Sequence, residues 1–66
     1  MNVLVNGESR EVTDAHSINQ LVDELGLMGK RFAVEVNNEI IPRSRYVNYR
    51  LQPGDKIEIV HAIGGG

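Results

Sequence analysis

Apolar residues recur at every second position at the start of the chain, so that Met1, Val3 and Val5 share one face of a predicted strand. Asn6-Gly7 follows directly, and both residues tolerate the positive φ that a type I′ hairpin turn requires. Arg10 to Thr13 then reads as a short returning strand, mostly polar and suited to a sheet edge. At Ser17 the period changes. Ile18, Leu21, Val22 and Leu25 fall at i, i+3, i+4 and i+7, the stripe of an amphipathic helix, with Asn19, Asp23 and Glu24 on the other side. Ser17 and Gln20 make a Ser-x-x-Gln capping box, whose two side chains satisfy orphan amide hydrogens at the helix start. Gly26 supplies a left-handed residue to close the helix, and Leu27 is placed for the apolar contact that accompanies such a cap.

Period two returns at Phe32, Val34 and Val36, which share a strand face, and Asn37-Asn38 can turn because Asn visits left-handed conformations readily. Glu39 to Ile41 is a short strand stopped by Pro42, which has no amide hydrogen to give a ladder. Arg43 to Tyr49 has no clean period and reads as a turn of irregular helix with an extended link. Gln52-Pro53-Gly54-Asp55 carries the type II turn signature, and Ile57, Ile59, His61 and Ile63 then share a face of the last strand. The order is strand, strand, helix, strand, short strand, strand. One helix on one mixed sheet of four or five strands is the economical α+β solution, with first and last strands parallel at the centre. That is a β-grasp, or ubiquitin-like, layout over residues 1–63, and its last strand is central.

At 66 residues there is room for one domain, and 41% hydrophobic residues suffice for one compact core. The absence of cysteine excludes disulfides, a zinc–thiolate site and any thiol relay on the chain's own side chains. No signal-peptide pattern opens the sequence and no apolar run approaches the ~20 residues of a membrane span, so a cytoplasmic setting is expected. A net charge of −2 argues against nucleic acid as partner. Arg43, Arg45 and Arg50 form a local basic group, either a solvated rim or a docking patch for an acidic partner surface. His16 reads as a surface or helix-entry residue, and His61 as a partly buried structural one, since neither has an obvious nucleophile or orienting carboxylate. No metal-ligand spacing stands out and no bound cofactor is expected.

The chemistry points to the end of the chain. Gly64-Gly65-Gly66 follows an apolar run, and three glycines have no side chain to bury, while fixing each costs roughly 1–2 kcal/mol. Residues 64–66 are therefore expected to form a flexible tail. One reading is a trivial chain end. The other is a thread tipped by a carboxylate, slender enough to enter a partner's channel.

The opening strand with Asn6-Gly7, the stretch Val36 to Arg43, the turn Leu51 to Asp55 and the ending Ile57 to Gly66 together resemble the ThiS family of sulfur carriers in thiamine biosynthesis. Their order and spacing in so short a chain are specific, although no single motif is. This chain ends in three glycines where many such carriers end in two after an apolar residue. The resemblance implies that Gly66 is adenylated and converted to a thiocarboxylate, with Gly64 and Gly65 in the partner's channel. It implies a ThiF-like, E1-like adenylating enzyme that uses ATP and magnesium, a cysteine desulfurase relay and a ThiG-like thiazole synthase. The chain itself would be a protein cosubstrate and not an enzyme. The competing readings are a MoaD-like carrier for molybdopterin, a ubiquitin-like modifier joined to lysines, and a β-grasp binding module with an inert tail.

Overall fold

The computed structural model describes residues 1–61, the last of them through its backbone alone. The elements are β1 (Asn2–Val5), β2 (Glu8–Glu11), α1 (Ile18–Glu24), β3 (Phe32–Val36), β4 (Glu39–Ile41), a 3-10 turn (Arg43–Arg45) and β5 (Lys56–His61). They form one five-stranded mixed sheet in the order β2-β1-β5-β3-β4, carrying the helix. The first and last strands run parallel at its centre, as the β-grasp reading expects. The expectations for Ile63 in the last strand and for a flexible tail at Gly64, Gly65 and Gly66 lie outside the described residues.

Both hairpins turn through left-handed pairs, Asn6 (φ 50°) with Gly7 (φ 84°) and Asn37 (φ 50°) with Asn38 (φ 71°). These are the type I′ conformations whose twist matches the flanking strands. The first turn uses only its two central residues, so β2 resumes at Glu8 and ends at Glu11. The sequence reading placed this strand at Arg10 to Thr13. Its polar run offers no alternation to fix a register, whereas the tight turn does.

The helix has the predicted limits, with Ser17 as N-cap and Leu25 as C-cap. Ser17 Oγ accepts from Gln20 N–H at 3.1 Å, and Gln20 Oε1 accepts from Ser17 N–H at 2.9 Å. At the other end Gly26 takes φ 74°, its N–H reaching Asp23 O, while Leu27 N–H reaches Val22 O. That pair of bonds is a Schellman closure, which only a left-handed residue permits. Ile18, Leu21 and Val22 are fully buried against Val3, Val34, Val36, Ile57 and Ile59 from the sheet. Leu25, the fourth position of the stripe, is half-buried at the core's margin.

Irregular segments close the rest of the core. Val12, Tyr46 and Leu51 are buried, and Leu51 N–H donates to His16 O, which ties the link before β5 to the helix entry. His16 is a helix-entry residue, but it is not at the surface, being 4% exposed. Its Nδ1 lies 2.9 Å from Thr13 Oγ1, and its Nε2 lies 3.0 Å from Glu24 Oε2, an approach too poorly aligned for a hydrogen bond.

Candidate functional site

β5 leads towards the glycines, and it is held harder than any other strand. Val36, Val34 and Phe32 of β3 pair with Ile57, Ile59 and His61, while Leu4 and Val5 of β1 pair with Lys56 and Ile57 on the other side. Two asparagine side chains extend this grip beyond the ladders. Asn6 Oδ1 accepts from Ile59 N–H at 2.8 Å and its amide donates to Ile59 O at 3.3 Å. Asn37 Oδ1 accepts from Lys56 N–H at 3.0 Å, and its amide donates to Asp55 Oδ1. The turns therefore do two jobs: they reverse the chain and they continue the sheet's hydrogen bonding along β5.

The last described pair, Phe32 with His61, marks the end of the sheet from which residues 62–66 continue. Phe32 stacks on Tyr46 with ring centroids 5.8 Å apart, and the Arg43 guanidinium lies 4.9 Å above the Phe32 ring. A notch of ≈ 70 Å³ lies between Phe32, Tyr46, Arg43 and Met28. Exposed Lys30 and Arg31 immediately precede Phe32, so positive charge gathers at this end of the sheet.

The three arginines grouped by the sequence have separate settings. Arg43 lies over Phe32, Arg45 lies 5.7 Å over the Tyr49 ring, and Arg50 Nη1 donates to Ala15 O at 3.4 Å, beside the helix entry. Arg43 is thus the member placed against the strand end beside His61, where Lys30 and Arg31 flank Phe32. That neighbourhood is invisible in the sequence because it forms only when β4 and β3 pair.

The sheet face opposite the helix is open. Leu4, Ile40 and Val60 are 40%, 73% and 67% exposed there, an apolar display that a domain of this size has no internal use for. Among the described residues no group of three or more His, Cys, Asp or Glu could hold a metal ion, and no helix is long and apolar enough to cross a membrane. His16, with Thr13 and Glu24 as neighbours, serves the helix entry and lies on none of this surface. What the arrangement can do is present: it holds a central strand rigidly and offers an apolar face beside that strand's exit.

Comparison with known proteins supplies the rest. The family model described as "ThiS family" matches residues 3–66, and so takes in all three terminal glycines. A thiazole synthase of Paramagnetospirillum magneticum is 42% identical over all 66 residues, and the chain spans only 20% of that protein's length. The sulfur carrier protein ThiS of Bacillus subtilis is 43% identical over 53 residues, 80% of each chain. In structure, the thiamine biosynthesis protein ThiS from Geobacter metallireducens superposes with a TM-score of 0.83 at 28% identity, covering both chains completely.

Proposed function

The chain belongs to the ThiS family of sulfur carriers, and we propose that it carries sulfur as a thiocarboxylate on Gly66. A carboxylate is a poor electrophile. Transfer of an adenylyl group from ATP makes it a mixed anhydride, and attack by a sulfur nucleophile then expels AMP. The carbonyl carbon of Gly66 keeps one oxygen and gains the sulfur that a thiazole-forming enzyme consumes. Gly64 and Gly65 carry no side chain to obstruct a narrow channel leading to the adenylating centre.

The observation that carries this reading is the extent of the family match, which runs through Gly66 and not merely over the folded domain. The fold supports it by making the strand before the glycines the central one, pinned by β1, β3 and the two asparagines. A rigid base lets a partner position the carboxylate, and misplacement of a reacting group by ~1 Å can cost 10²-fold in rate.

The chain supplies no catalytic group in this scheme. ATP and magnesium belong to a ThiF-like adenylating enzyme, the sulfur comes from a cysteine desulfurase relay, and a ThiG-like synthase accepts the loaded carrier in the cytoplasm. Similarity to part of a protein named thiazole synthase supports the last partnership, since a carrier and its consumer act on the same atom. The test is the intact mass of the chain after incubation with ATP, a sulfur donor and the adenylating enzyme. A gain equal to sulfur minus oxygen, localised to Gly66 by fragmentation, is the expected result. No gain in the presence of an active enzyme would remove the carrier reading.

A further inference from the structure

Glu35 of β3 and Glu58 of β5 stand directly opposite each other in the antiparallel register, on the open face of the sheet. Like charges in this relation repel, with Cβ atoms only about 4.5–5.5 Å apart. Among the described residues neither carboxylate is within ion-pair distance of a cation, although Lys56 occupies the same face two residues before Glu58. The pair is also set in apolar surroundings. Ile40 pairs with Glu35 from the far side on β4, and Val60 and Ala33, themselves a pair, occupy the next level of the same face.

From this juxtaposition we propose that Glu35 and Glu58 together form a receptor for one arginine of the adenylating enzyme, seated between them and enclosed by Ile40 and Val60. The inference rests on the carrier reading and adds the chemistry of its docking face. Two carboxylates on neighbouring strands offer four acceptor oxygens, which match the planar five-donor guanidinium better than an ammonium, a point charge with three donors. Apolar neighbours exclude water from the contact, which strengthens it and places it at the centre of an interface instead of its rim. The repulsion tolerated in the free domain is relieved only when the cation arrives. It therefore favours the bound state and fixes the register in which the partner meets β5.

The experiment compares the wild-type chain with Glu35→Gln, Glu58→Gln and the double variant, binding each to the purified adenylating enzyme without ATP. Each single change is expected to weaken binding by about tenfold, the scale of one charge-assisted contact. The double variant should lose less than the product of the two, because both carboxylates hold the same guanidinium. Free variants should melt about 1–4 °C higher than the wild type, as relief of a like-charge pair predicts, which separates lost binding from lost folding. Glu39→Gln, on the same edge but outside the pair, should bind as the wild type does.

Unchanged or tighter binding by the single variants, or losses that simply multiply, would overturn the proposal. So would wild-type self-association that the variants abolish, since the occupant would then be a second copy of the chain. Sulfur loading keeps the two ideas distinct. If the wild type acquires sulfur while the glutamine variants bind equally well, the receptor is refuted and the carrier stands. If the wild type acquires none from an active enzyme, both fall.

Discussion

Asn6 and Asn37 show how much a single residue can hold. Each enters a type I′ turn with φ near 50°, and each bonds through its side chain to backbone at or beside β5. Their turn role is legible in the dipeptides themselves, because it depends on local backbone preference. The second role is not, since Asn6 and Ile59 are 53 residues apart and meet only in the finished sheet. Asn6→Gly separates the two. Glycine keeps the left-handed turn but leaves Ile59 N–H and C=O without their partners, so stability should fall by about 1–2 kcal/mol in denaturant unfolding. An unchanged midpoint would mean that solvent replaces the amide at no cost. The arginines teach the converse: adjacency in sequence grouped Arg43, Arg45 and Arg50, whereas the fold gives each its own contact. Arg43→Glu should therefore slow association with the adenylating enzyme at low salt more than Arg50→Glu does, as stopped-flow rates across ionic strength would reveal. Equal effects would return the group to a solvated rim.

Among the elements, the helix was the most legible, because its signals are local. The capping box, the spacing of Ile18, Leu21 and Val22, and the Schellman glycine all lie within ten residues and agree. Seven residues are nevertheless too few for a helix to persist alone in water, so packing on the sheet sustains it. Leu21→Ala removes a fully buried side chain between helix and sheet and should cost ~2–5 kcal/mol, depending on how far the site collapses. Thermal or denaturant unfolding measures this directly, and a variant as stable as its parent would contradict the packing. β2 was less legible. Glu8, Ser9, Arg10 and Glu11 show no alternation, and their strand exists because β1 and a two-residue turn place them beside Met1 to Val5. The link before β5 was similarly opaque, since Tyr46 and Leu51 enter the core from segments with no regular period.

For the molecule as a whole, sequence parsimony led to the correct sheet order, because a helix and five short strands leave few ways to cover one apolar face. The open face was not legible: which glutamates oppose each other depends on a register that no single strand encodes. At this scale the proposed function makes its firmest demand, on a passage too narrow for side chains. Gly65→Val should leave the fold and melting temperature unchanged yet prevent adenylation, and a residue added after Gly66 should abolish sulfur transfer. Mass spectrometry of the reacted chain tests both, and sulfur gained by the extended form would be fatal to the scheme. The parallel pairing of β1 with β5 has a mechanical consequence too. Leu4 N–H to Asp55 O and Asn6 N–H to Ile57 O cross between two strands that run the same way. Tension applied between the two ends of the chain drags these strands past one another, loading their bonds together in shear. Tension across the β3–β4 hairpin would instead open the ladder one rung at a time. Forced unfolding reports the barrier and not the equilibrium, so optical-tweezer rupture should need a higher force end to end than across that hairpin. A protein whose business is to be gripped by its last residues is thus toughest along the line of pull.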